Sequence, residues 1–307
     1  MRATRAAAGL AVAVLALAVG AVPAGAIPAP PGPYGVGRLT VTFVDPSRPT
    51  PANGSYPGAP TRTLPTLVSF PTVHGRPLPG PRPLIVFATG IGDPPSQYAP
   101  LFDHWVRAGY VVAEPTFPLS NDRAPGGPTA SDLRNQPADL SFVLTRLLAA
   151  NRSATSTLHG RIDPNEVGLA GKSLGAITVF ETGYNSATHD PRFTAVIAMT
   201  GVVGEPGSHF VGIRTPLLLE HGDADTTVPI QGSINAYAQA NPPKFFVTLF
   251  HQTHGSAFGG GAAPAERVVE RTTLDFWNRY LLARPVGLVQ LQRDGNVAGV
   301  SSLQATP

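Results

Sequence analysis

The sequence predicts an α/β domain with a mostly parallel central sheet and helices on its faces. Three observations lead there. From residue 83 onward, short apolar runs of strand length alternate with segments of helical periodicity, the order that parallel βαβ units produce. The pentapeptide Gly171-Lys172-Ser173-Leu174-Gly175 falls between one such strand and one such helix. Hydrophobic residues make up 42% of the 307 positions and charged residues only 13%, which suits one substantial core and argues against a disordered chain.

At the N-terminus, Arg2 and Arg5 precede a run of Ala, Val, Leu and Gly over residues 6–22, and Ala24-Gly25-Ala26 has small-x-small cleavage spacing. Residues 1–26 are therefore expected to be a signal peptide, leaving a secreted chain that begins at Ile27. An uncleaved membrane anchor is the alternative, but Pro23 and the prolines after it suit a cleavage region better than a continuing helix. Removing Arg2 and Arg5 lowers the formal charge from +3 to +1. The remaining arginines form no stripe that could follow a phosphate backbone, so nucleic acid is not an expected partner. The chain has no cysteine, which removes disulfides, thiolate nucleophiles and Cys-ligated metals together. Its core alone must stabilise it.

Fifteen of the 34 prolines lie between residues 28 and 83. Two strand-like runs interrupt them, at 39–44 and 63–70, and predict a proline-guarded sheet edge. Next come an apolar strand at 84–88, a helix around 97–108 and a strand at 111–114. After Pro137, Leu140, Val143, Leu144, Leu147 and Leu148 recur at helical spacing. Further strands are expected at 167–170, 195–199, 217–220 and 245–250, and a last helix at 266–282. Residues 286–303 are too apolar for a free tail, and their place in the fold is not legible. No repeat or linker divides the chain, so residues 27–307 read as one domain, expected to be a monomer.

A serine on a tight strand-to-helix turn, with glycines where a Cβ would clash, has the pattern of a nucleophile elbow. Its hydroxyl needs a base, and the base needs an orienting carboxylate; these follow in the order Ser, Asp, His, each after a later strand. Leu217–Glu220 leads into His221-Gly222-Asp223-Ala224-Asp225, and the strand at 245–250 leads into His251-Gln252-Thr253-His254-Gly255. Asp223 and Asp225 are both candidates for the acid, and together they could hold a divalent cation, although no third ligand lies at useful spacing. His251 and His254 compete as the base. His251 abuts the strand and is expected to be packed, whereas His254 lies on the following loop; Asp225 and His254 are favoured. The other histidines, His221 among them, read as surface or packing residues. Two backbone N–H groups should face the developing charge, that of Leu174 and that of Ile91 in Thr89-Gly90-Ile91-Gly92.

Together, Pro83–Gly92, the elbow, the His221–Pro229 stretch and His254 resemble α/β-hydrolases. The similarity is greatest to the group of platelet-activating-factor acetylhydrolases, chlorophyllases and bacterial cutinase-like polyesterases. It spans roughly residues 36–283. It implies an α/β-hydrolase fold, a triad of Ser173, Asp225 and His254, and hydrolysis of carboxylic esters without a cofactor. Lys172 stands where these enzymes usually carry His, and the chain lacks the cysteines of dienelactone hydrolases and of disulfide-bearing polyesterases. Only 17 residues separate the strands at 195–199 and 217–220, too few for a large cap domain. An open cleft is expected, taking short-chain, lipid or polymer esters, with no stable membrane insertion. The alternatives are a secreted acyltransferase, a polyester hydrolase, and an inactive binding protein on the same fold.

Overall fold

A computed structural model of the chain describes residues 33–204 and 209–307; the expected signal peptide, residues 1–26, lies outside the described residues. Strands β1 (Gly35–Asp45) and β2 (Arg62–Val73) contain both proline-flanked runs and pair antiparallel from Gly35↔Thr72 to Asp45↔Arg62. The short β3 (Arg76–Pro77) folds back on β2. There follow β4 (Arg82–Ala88), α1 (Ala99–Arg107), β5 (Val111–Pro115), α2 (Gln136–Arg152), β6 (Ile162–Lys172), α3 (Leu174–Tyr184) and β7 (Ala195–Met199). The chain continues with β8 (Leu217–Gly222), α4 (Gln231–Gln239), β9 (Lys244–Leu249) and α5 (Pro264–Tyr280).

The expected helix at 97–108 begins as a 3₁₀ turn, Pro95–Tyr98, before α1. Pro100, in the first turn of α1, has no N–H to lose there. Residues 286–303 prove to be α6 (Val286–Asp294) and the start of β10 (Ser301–Thr306), which adds antiparallel to β9.

The sheet order is β1-β2-β5-β4-β6-β7-β8-β9-β10. From β5 to β9 the strands run parallel, and the antiparallel ones lie at the margins. Helices α2 and α3 cover one face through Leu140, Val143, Leu147, Val179 and Phe180. Helices α1 and α5 cover the other through Leu101, Trp105, Val269 and Trp277. Within β4, Leu84 and Val86 join the first core while Ile85 and Phe87 join the second, which is why the central strands read as unbroken apolar runs. No helix among the described residues is long and apolar enough to cross a membrane.

Some charges lie inside this architecture. Arg62 is fully buried and bonds Asp139 at 2.5 and 2.8 Å and Asp132 at 3.0 and 3.2 Å, tying β2 to α2 and the turn before it. Glu220 on β8 is also fully buried, and its Oε1 lies 2.5 Å from the Thr272 hydroxyl. That hydroxyl has one hydrogen and lies 2.7 Å from the Val268 carbonyl. It therefore divides that hydrogen between Glu220 and Val268, and the other Glu220 oxygen, Oε2, meets no hydrogen-bond partner among the described residues. Burial raises the Glu220 pKa from 4.5 to about 8, against the Thr272 hydrogen bond.

The folded state thus holds a proton that the unfolded chain releases above pH 4.5, so stability falls as pH rises through this window and levels off above about 8. Glu220→Gln keeps a neutral donor and is expected to be stabilising at pH 9, on the order of 3 kcal/mol, and nearly neutral at pH 5. Thermal melts at both pH values check this; equal shifts at pH 5 and 9 would contradict it.

Candidate active site

Strand β6 ends at Lys172 and α3 starts at Leu174, leaving Ser173 alone on the turn with φ 58° and ψ −121°. A non-glycine residue held there stores about 1–3 kcal/mol of strain. The surroundings fix it. Ser173 N donates to Met199 O at the end of β7 (3.0 Å), and its carbonyl accepts the N–H groups of Ala176 and Ile177 (2.9 and 3.1 Å). Both flanking glycines are required for close approach: a Cβ on Gly175 would lie 2.0 Å from Ala88 O, and one on Gly171 would lie 2.4 Å from Gly175 O. This contact sets the carboxyl end of β4, and the loop after it, beside Ser173.

The loops after β8 and β9 are zipped together. Asp223 N donates to Leu249 O (3.0 Å) and Ala224 N to Gln252 O (3.1 Å). The Asp223 carboxylate accepts the His251 N–H at 2.5 Å, holding His251 at φ 60°. The expectation that the His251 ring is packed is wrong: His251 is exposed, and only its backbone anchors the loop. The positive φ turns its side chain to solvent and sends the chain back toward β8.

His254, three residues on, reaches both partners, with Nδ1 2.7 Å from Asp225 Oδ2 and Nε2 2.8 Å from Ser173 Oγ. An ionised carboxylate can only accept, so Nδ1 carries the hydrogen and Nε2 is left to accept from the serine.

Asp225 is held on every side. Its Oδ1 accepts the N–H groups of Thr227 and Val228, both at 2.9 Å. Its Oδ2 also lies 3.2 Å from His221 Nε2. Burial opposes its ionisation, but the His254 hydrogen bond and the Val228 and Thr227 N–H groups outweigh it, keeping the carboxyl below its ordinary pKa.

His221 is fully buried, and burial lowers its own pKa. Its Nε2 faces the Val228 carbonyl at 2.8 Å and must therefore carry hydrogen, while Nδ1 accepts from Ser233 Oγ at 2.7 Å. It packs, as expected, but it also donates toward Asp225. Nothing in the sequence signals this contact, because an i, i+4 spacing brings side chains together on a helix and this stretch leaves a strand for a turn.

Leu174 N, the first N–H of α3, has no intrahelical partner by its position. Ile91 follows Gly90, where a Cβ would come 3.3 Å from Ser173 Cβ. Among the described residues, Ile91 N donates to no carbonyl, while Gly92 N is taken by Ser120 O at 2.7 Å. The Ile91 side chain is exposed at this rim.

Sequence reasoning missed Asp93 and Tyr98. The Tyr98 hydroxyl donates to Asp93 Oδ2, and Lys172 Nζ lies 3.8 Å from the same oxygen. A cavity of about 230 Å³ lined by Pro51, Leu119, Asp132 and Asn135, among others, touches none of the three residues Ser173, His254 and Asp225. Among the described residues no three His, Asp or Glu side chains are grouped to hold a metal ion. No protein-family model and no curated protein matches the chain.

Proposed function

We propose that this chain is a secreted serine hydrolase of carboxylic esters, built on an α/β-hydrolase fold as one domain over residues 27–307. The observation that carries this reading is the unbroken line from Asp225 through His254 to Ser173, with contacts of 2.7 and 2.8 Å. His254 Nε2 takes the Ser173 proton as Oγ attacks the ester carbonyl, and Asp225 stabilises the resulting imidazolium. The N–H groups of Leu174 and Ile91 receive the oxyanion. His254 then returns its proton to the departing alcohol, and water, activated by the same imidazole, releases the acid.

The His254 side chain is 18% exposed, which gives water a way to the base for the second step. The connection between β7 and β8 is too short for a large cap domain, which supports short-chain, lipid or polymer esters as the substrates. A fluorophosphonate probe is expected to label the folded protein stoichiometrically, with the adduct mapped to Ser173. Folded protein that resists the probe, or labelling that survives Ser173→Ala, would end this reading.

A further inference from the structure

Behind the loop that presents Ile91 lies a charged group for which ester hydrolysis has no evident use. Asp93 Oδ2 comes so close to Gly90 that a Cβ there would lie 2.2 Å from it, on the residue whose Cβ would be 3.3 Å from Ser173 Cβ. A carboxylate is thus held within a few ångströms of Ser173, where the ester oxygen becomes negative. Left unbalanced, it opposes that charge: two like charges about 6 Å apart at an effective dielectric of about 20 slow a reaction roughly 100-fold.

Two groups balance it. The Tyr98 hydroxyl donates to Oδ2, and the Lys172 ammonium lies 3.8 Å away. Both are buried, Tyr98 fully and the Lys172 side chain to all but 5%. A lysine is costly in such a place, and burial lowers its pKa while Asp93 and Asp225 act against that. An apolar side chain would fill the space without that cost. Lys172 is also the last residue of β6, one bond from the elbow, so its ammonium links the strand under Ser173 to the loop over it.

We propose that Lys172 is a positioning residue for the reaction: it holds and neutralises Asp93, so the loop that carries Ile91 keeps its place and no net negative charge faces the oxyanion. This rests on the ester-hydrolase reading above. The charged and titratable groups around the pair are Asp225 from the loop after β8, Tyr98 from the turn before α1, and Glu114 of β5 beside Tyr98. Beyond Asp225 lie His254 and His221.

Three variants test it: Lys172→Met, Asp93→Asn and the double. Lys172→Met is expected to lower kcat on a short p-nitrophenyl ester roughly 30- to 100-fold, with KM changed less than about threefold. The pH midpoint of kcat/KM should move upward, because an unbalanced carboxylate nearby favours the protonated base. Adding Asp93→Asn removes the charge that Lys172 balances, so the double variant should return to within about fivefold of Asp93→Asn alone. Losses that multiply, with an unmoved pH midpoint, would make Lys172 a mere core support and overturn the proposal.

If Lys172→Met alone is too unstable to assay, the double variant decides by the same comparison with Asp93→Asn. Fluorophosphonate labelling of the wild-type protein runs beside these assays. No labelling overturns the hydrolase reading and this proposal with it, whereas normal labelling with multiplying losses overturns this proposal alone.

Discussion

Ser173→Ala is expected to lower kcat on a short p-nitrophenyl ester by about 10⁶-fold while leaving the protein folded. In the proposed reaction Oγ supplies the covalent bond; without it, His254 and the N–H groups of Leu174 and Ile91 would have only a weakly placed water to act on. Stability should move by less than about 1 kcal/mol. The turn at φ 58° is held by backbone bonds to Met199, Ala176 and Ile177, none of which uses the hydroxyl. Alanine loses one hydrogen bond to His254, which stays tied to Asp225.

His254→Ala should cost a comparable factor, and the double variant should be little worse than either single one. A base with no hydroxyl to deprotonate has nothing left to contribute. Burst and steady-state kinetics on the three variants, with thermal melts to show folding, check this. Losses that multiply would mean that the two residues act independently, and the assignment of the pair would fail.

How far the sequence reached follows from what each element buries. Strands β4, β6, β7 and β8 lie between two helical layers, so their apolar runs are long and their positions legible. Ser173, placed by one of these strands, was legible for the same reason. The margin at β9 was different. Strand β10 has the sequence SSLQAT with most side chains toward solvent, and polar edge residues carry no period that marks a strand. Helix α6 buries Leu291 but leaves Val286 and Val289 exposed, which blurs its apolar face. The contact behind the Ile91 loop was out of reach: nothing in Thr89–Gly92 announces that Asp93 meets a lysine beside the elbow. By residue type alone Asp223 and Asp225 both stayed candidates, with Asp225 favoured; the pairing of the two loops puts Asp225 at the imidazole and Asp223 at the His251 N–H.

That division of labour underlies the second large effect. Asp225→Asn is expected to lower kcat by about 10⁴-fold in a protein that still folds. Two backbone donors, Thr227 N and Val228 N, point at Oδ1, so the asparagine carbonyl will turn to them and leave its NH₂ at the Oδ2 position. There it faces His254 Nδ1, which must now accept; the ring hydrogen moves to Nε2, and Ser173 meets a donor where it needs an acceptor. Turning the amide over does not help, because the NH₂ would then oppose two backbone N–H groups. His221 Nε2–H, also aimed at Oδ2, loses its share of that acceptor but keeps the Val228 carbonyl. Asp223→Asn is different in kind. Its carbonyl can still take the His251 N–H, so kcat should fall by less than about tenfold. Assayed side by side with matched melts, the two variants separate orienting the base from holding its loop. A larger loss at Asp223 than at Asp225 would reverse the assignment of the acid and leave the fold untouched.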